Sequence, residues 1–300
     1  MIENTVKQQD LGTTSLEDAV GTSAVEKAAE LVEVSAQLLR LRSRVNSLDA
    51  LGEFAFALSG DINDAIENNA FCYLYQPIIS TANAAIEGYE ALMRWQRRGE
   101  MVTPALFLPV AEETGAIQRI QQRLLDDVAQ ACAQAPPSAF IGINWSARQM
   151  LRASAASALI DRIKELGLDP RRIMIEIGAR STTVDPDLIV LCVQLLKDNG
   201  FQIALDGIGG HYASLSHLSR LPIDVVKLDT SLLTDGDNGE RAVRILGGVI
   251  DFAHLMRTRV IAKGVETQQQ VRTLQRLGCD LLQGHAIATP ARVPQPEAGR

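Results

Sequence analysis

From residue 71 to residue 287 the chain alternates short β-branched or apolar runs with longer stretches of helical period. That alternation limits the folds open to it more than any other feature. The strand candidates are FCYLYQPII (71–79), IEGYEALMRW (86–95), FIGINWS (140–146), IMIEIG (173–178), QIALDG (202–207), VVKLD (225–229), VIAKGV (260–265) and LLQGHAI (281–287). Helix candidates such as AIQRIQQRLLDDVAQACAQ, SALIDRIKELG, PDLIVLCVQLLKDNG, the stretch around RAVRILGGVIDFAHLM, and TQQQVRTLQRLG lie between them. Eight strands separated mostly by helices predict an α/β protein, a (β/α)8 TIM-like barrel. The first two strands are joined only by STANA, too short for a helical crossover, so this pair is expected to be an antiparallel hairpin.

The barrel pattern occupies residues 61–292 of 300, which leaves room for a smaller N-terminal element. Residues 1–22 are polar and aperiodic and are expected to be disordered; residues 293–300 are expected to form a flexible tail, with fraying from the Pro-rich stretch that starts at Ala288. Over 23–58 the period is helical. Leu31, Val34, Leu38, Leu41, Val45 and Leu48 form a heptad seam, with Arg44 at g and Asp49 at the following e. The spacing serves a homodimeric coiled coil and a single amphipathic helix docked on the next domain equally well. A net charge of −7 argues against a general polyanion surface, and 4% aromatic residues against a platform for single-stranded nucleic acid, so no nucleic-acid polymer is expected. No run approaches the ~20 apolar residues of a membrane span. Cys72, Cys132, Cys192 and Cys279 are too scattered for a zinc knuckle or a disulfide framework. A reduced cytoplasmic protein without membrane contact is the expectation.

A barrel interior is packed with apolar side chains, so polar residues within its strands need a reason. Nearly every predicted strand carries one near its C-terminal end: Gln76, Glu90 with Arg94, Asn144, Glu176, Asp206, Lys227 with Asp229, Lys263 with Glu266, and Gln283. Active sites of this fold are assembled at that rim from the ends of several strands. A ring of buried charges costs several kcal/mol per ion unless paired or metal-bound. Glu90, Asn144, Glu176 and Asp206 offer only oxygen ligands, the set preferred by Mg²⁺, Mn²⁺ or Ca²⁺. Arg94, four residues after Glu90 on the same strand face, supplies a phosphate fork. Lys227, inside an apolar run, is expected to have its pKa lowered by burial and so to suit proton transfer. Together these residues describe phosphoester recognition beside a hard metal.

YQPI (75–78), EGYEALMRW (87–95), NWSARQM (144–150), MIEI (174–177), VVKLD (225–229), GVET (264–267) and QG (283–284) resemble, in order, the motifs of the EAL-domain family of cyclic di-GMP phosphodiesterases. PALFLPVAEETGAI (104–117) is similar to a further segment of that family. The resemblance implies a (β/α)8 barrel with an antiparallel first strand. It implies that Glu90, Asn144, Glu176 and Asp206 hold a first Mg²⁺ or Mn²⁺ and that Arg94 holds a phosphate of cyclic di-GMP. Gln76 would face the ligand, Lys227 would help orient the attacking water, and Glu266 and Gln283 would support the metal site.

The departures from the family pattern cluster. DGIGGHYASL stands where the family has DDFGTGYSSL, so Gly207 replaces its second Asp; EIGA stands for E-x-T-E, so Ala179 replaces its second Glu. AKGVE stands for AEGVE, placing Lys263 at an acid, and His285 replaces the tyrosine after QG. Gly207 and Lys263 remove acids from the second metal position while the first ligand set survives, so the second metal site is expected to be lost and Lys227 to be vestigial as a catalyst. The glycines of DGIGGH fit neither a dinucleotide fingerprint nor a phosphate-binding P-loop. Three functions remain open: a degenerate domain that binds cyclic di-GMP and signals to a regulatory protein partner, a nucleotide-free interaction scaffold, and an active metal-dependent phosphodiesterase.

Overall fold

The protein is described here by a computed structural model covering residues 58–151, 153–179, 185–208, 220–233 and 239–294. The aperiodic start, nearly all of the heptad segment, Gly209, Gly210, His211 and the tail from residue 295 lie outside the described residues.

A helix over 58–67 (α1) leads into Phe71–Ser80 (β1), which pairs antiparallel with Ile86–Arg97 (β2) and sets Gln76 opposite Glu90. Glu100–Val102 (β3) folds back on the end of β2 outside the ring. Pro104–Thr114 (α2) and Ala116–Gln134 (α3) follow, then Phe140–Trp145 (β4), parallel to β2. The ladder continues in parallel through Ile173–Gly178 (β5), Gln202–Ile208 (β6), Val225–Asp229 (β7), Arg259–Lys263 (β8) and Leu281–Leu282 (β9). Antiparallel pairing of β9 with β1 closes an eight-stranded barrel whose first strand alone is reversed. The expected barrel and hairpin are both present.

The strands are near-continuous apolar runs because helices cover their outer faces. In α3 the buried Ile117, Ile120, Leu124, Val128 and Ala131 recur at three- and four-residue steps, one apolar stripe against the barrel. The helix Pro186–Asp198 opens with Asp185 accepting from the Leu188 N–H at 3.1 Å and with proline in its first turn.

Inside the barrel, Ile78, Phe140, Met174, Ala204, Val225, Ile261 and Leu281 form one fully apolar layer, one residue from each strand except β2. At β2 the interior position is Gly88, where any side chain would run into the Phe140 ring. Side chains alternate along a strand, so the next interior layer lies two residues further toward the mouth. Those positions are Gln76, Glu90, Gly142, Glu176, Asp206, Lys227, Lys263 and Gln283. Seven residues of the polar ring noted in the sequence therefore share one layer of the barrel, with Asn144 one layer nearer the mouth.

Two boundaries differ from expectation. The last strand ends at Leu282 instead of reaching Ile287, because Gly284 turns the chain at φ +155° and its Cα lies against the Val265 backbone. The expected fraying from Ala288 does not begin there: Ala291 exchanges two backbone hydrogen bonds with Tyr75, at 2.7 and 3.0 Å, and Pro294 is buried. Among the described residues no helix is long and apolar enough to cross a membrane, and the four cysteines are free thiols.

Candidate functional site

The polar layer resolves into two groups. At the centre of the first is Lys227, with no exposed surface, whose Nζ donates to Glu90 Oε2 at 2.7 Å and to Glu176 Oε2 at 2.6 Å. Gln283 Nε2 donates to the same Glu90 oxygen at 2.7 Å and to Gln76 Oε1 at 3.1 Å; Gln76 in turn donates to the Ala288 carbonyl. Asn144 reaches in from one layer above, donating from Nδ2 to Glu90 Oε1 at 2.9 Å. Gly142 is required beneath it, because a Cβ there would collide with Glu176 Oε1. The second group is a pair nearer the mouth. Lys263 Nζ lies 2.7 Å from Asp206 Oδ1 and donates to Oδ2 at 2.9 Å, with 27% and 22% of the two side chains exposed.

Electrostatics follow from three carboxylates sharing two ammonium groups in a closed space. Burial penalises the ionised form of Glu90, but the Lys227 charge and the donors Lys227, Gln283 and Asn144 outweigh it and hold this carboxyl down at about 2. Glu176 goes the other way: burial, then repulsion from Glu90, push it up to about 8 despite Lys227. The expectation for Lys227 is reversed. Burial does act to lower its pKa, yet Glu176, Glu90 and Asp206 together raise it above the usual lysine range. In the metal-free protein Lys227 is thus a permanent cation and not a proton acceptor.

Linkage gives this arrangement a measurable sign. Glu176 keeps its proton in the fold to about 8 but loses it in the unfolded chain near 4.5, so its contribution to stability falls as pH rises across that window. Glu90 acts oppositely below 4.5, its contribution being lost as pH falls toward 2. In EDTA, the urea midpoint is expected to drop between pH 5 and pH 8 by the equivalent of about 1 kcal/mol per pH unit, and Glu176→Gln should flatten that slope. An equal slope in both proteins would contradict the assignment.

The other expected site residues are placed as follows. Arg94 lies on the Glu90 face of β2, half-buried, donating to the Met93 carbonyl at 2.8 Å and making no ion pair among the described residues. Ala179 is buried just past β5, and its N–H donates to the Asp206 carbonyl at 2.8 Å. Gly207 sits at a bulge of β6 with φ +87°, and among the described residues nothing lies within 4 Å of where a Cβ would point. Glu266 is exposed beyond the end of β8, its N–H held by Gln270 Oε1 at 2.7 Å, and is not drawn into the buried cluster. His285 is exposed, two residues after Gln283.

The donor chemistry suits a hard divalent ion. Glu90, Asn144, Glu176 and Asp206 present only oxygen to it, and Glu176 Oε1 is buried with no hydrogen-bond partner among the described residues. Both oxygens of Glu90 and one of Glu176 are already engaged within the cluster, and Asp206 is engaged by Lys263.

The family model for the EAL domain matches residues 59–290. The chain belongs to the EAL domain family. It is 29% identical over 258 residues to the bifunctional diguanylate cyclase/cyclic di-GMP phosphodiesterase MucR of Pseudomonas aeruginosa, a match covering 83% of this chain and 37% of MucR. It is 32% identical over 231 residues to the probable cyclic di-GMP phosphodiesterase PdeG of Escherichia coli, covering 75% of this chain and 46% of PdeG. The chain thus spans less than half the length of these curated relatives. Among solved structures, the MucR phosphodiesterase in complex with cyclic di-GMP superimposes with a TM-score of 0.73 at 28% identity, over 78% of this chain and 97% of that one. As an EAL domain, this chain is related to cyclic di-GMP phosphodiesterases, and its fold is one seen with that dinucleotide bound.

Two buried amides beside the polar cluster carry no metal-ligand signature in the sequence. Gln121 and Gln149 are buried amides whose contacts converge on the end of β4. The one available sign was S-x-x-Q at 146–149, the spacing of a helix capping box.

Proposed function

We propose that this chain is a cyclic di-GMP receptor: it binds the dinucleotide at the mouth of its barrel, does not hydrolyse it, and passes the bound state to a regulatory protein partner. The observation that carries the reading is the Lys263 ammonium, 2.7 Å from Asp206 at the position where the family pattern has an acid. A lysine there supplies a fixed positive charge in place of a second cation. It attracts a phosphate but cannot lower the pKa of a water as a metal ion does. Gly207 removes the other acid of that position, and Ala179 lacks the carboxylate that the family pattern places after β5.

The machinery of binding is retained. Glu90, Asn144, Glu176 and Asp206 would hold one Mg²⁺ or Mn²⁺, whose chemistry when bound is to draw phosphate oxygens and neutralise the carboxylates. Arg94, free of any carboxylate among the described residues, is left to clasp a phosphate. Gln76 and Gln283 fix Glu90 from below and keep its carboxylate turned to the mouth. Affinity and rate separate on this view, because losing transition-state contacts need not weaken ground-state contacts. The heptad-spaced segment 23–58 is assigned the task of joining two chains or a chain and its partner.

Calorimetric titration with cyclic di-GMP, in EDTA and in Mg²⁺, tests the reading when the same mixtures are then chromatographed. The expected result is saturable heat at one dinucleotide per chain with no linear product. Arg94→Ala should weaken binding by about 10- to 100-fold, the value of a charged hydrogen bond to phosphate. Appreciable turnover would overturn the reading in favour of an enzyme, and absence of heat in both conditions in favour of a scaffold.

A further inference from the structure

The Asn144 side chain meets Glu90, and beyond the β4–β5 ladder its backbone is gripped from outside the barrel ring. Gln121, from α3, is 6% exposed and donates from Nε2 to the Asn144 carbonyl at 3.0 Å. Its Oε1 accepts from Gln149 Nε2. Gln149, 2% exposed, belongs to the four-residue helix Ala147–Met150 (α4), and its Oε1 accepts from the Ser146 N–H at 2.9 Å. The two amides are therefore strung between the backbone groups on either side of Trp145, at the point where β4 ends.

The chain of bonds has a fixed direction. A backbone N–H can only donate, so Gln149 must turn its oxygen to Ser146 and its nitrogen to Gln121. Gln121 must then accept with its oxygen, which leaves its nitrogen for the Asn144 carbonyl, a group that can only accept. Neither amide can flip without placing two acceptors or two donors face to face. The local sequence explains half of this. S-x-x-Q is a capping box, in which the Gln normally reaches back to the cap N–H at the surface. Here that Gln is buried, Ser146 Oγ has no partner among the described residues, and the spare end of the amide is used to grip α3.

We propose that Gln121 and Gln149 are positioning residues: the buried amide pair fixes the end of β4 so that the Asn144 side chain stands against Glu90, and thereby sets the affinity of the EAL site for a divalent ion. The second clause rests on the receptor reading above; the first does not. Breaking the relay leaves the end of β4 held by its ladder with β5 alone, without the side-chain clamp on the Asn144 carbonyl and the Ser146 N–H. Removing groups that orient metal ligands without touching the ion typically weakens metal affinity by about 10- to 100-fold.

Two apolar variants of similar length, Gln121→Met and Gln149→Met, break the relay from opposite ends, so either one suffices should the other fail to fold. The test has two readouts on the full chain: ¹⁵N relaxation of the Asn144 side-chain amide in EDTA, and Mn²⁺ affinity by calorimetry. The expected result is a folded protein whose Asn144 amide loses order and whose Mn²⁺ binding weakens by about tenfold or more. An Asn144 amide as ordered as in the parent would overturn the proposal, even if melting temperature falls, because the pair would then be structural only. Lost order with Mn²⁺ affinity within about twofold of the parent would overturn the link to the metal. Lost order in the variants, together with a parent that binds no Mn²⁺, would sustain the relay and sink the receptor's metal site instead.

Discussion

Replacing Lys227 with methionine is expected to cost about 3–5 kcal/mol of stability, because it strands buried carboxylates without their shared cation. For a domain of this size that lowers the melting temperature in EDTA by roughly 6–20 °C. Methionine matches the length of the lysine stem, so the loss comes from charge and not from a cavity. The two carboxylates respond differently. At neutral pH Glu176, pushed up to about 8, shares the single proton of the cluster, whereas Glu90, held at about 2, stays ionised. Once Lys227 is gone, Glu90 retains only the neutral donors Gln283 and Asn144. Glu90→Gln introduced with Lys227→Met should therefore recover part of the loss, and a double-mutant cycle would measure the coupling. A Lys227→Met protein that melts with the parent would show that the buried ion triad does not hold the barrel interior.

The second large effect concerns chemistry. Gly207→Asp combined with Lys263→Glu is expected to raise hydrolysis of cyclic di-GMP in Mn²⁺ by at least about 100-fold, the scale of several kcal/mol of transition-state charge stabilisation. The two changes act on one place. Lys263→Glu releases Asp206, whose oxygens the ammonium now covers, and adds an acid; Gly207→Asp adds another where nothing among the described residues obstructs its Cβ. The aspartate must accept φ +87°, a strain of about 1–2 kcal/mol that Asp and Asn bear better than most residues. Lys263→Glu alone should bring a smaller gain. A folded double variant that binds the dinucleotide and remains inactive would place the defect elsewhere, Ala179 and the residues after Gly207 being next in line.

The barrel was legible because its strands are short β-branched runs set apart by amphipathic helices, and the STANA linker allowed only a hairpin. What escaped was set by tertiary contact. α2 carries Pro109 in its interior, and EMV is too short to mark as a strand, so neither element was expected. Gly284 cuts the last strand short through an approach to the Val265 backbone that no period can reveal. The polar residue in each strand was visible one by one, but their pairing was not. Lys227 meets a glutamate 137 positions away, and that partner reverses the pKa direction that burial alone suggests. Gln121 and Gln149 were invisible as site residues for a different reason: neutral amides resemble surface residues until their burial is known.

Counting ions per chain tests the central claim most directly, that Lys263 stands where a second metal would bind. Mn²⁺ is titrated into the protein saturated with cyclic di-GMP, and free ion is read by electron paramagnetic resonance. The account predicts one tightly held Mn²⁺ per chain in the parent and two in the Gly207→Asp, Lys263→Glu variant. Two tightly held ions in the parent would contradict it.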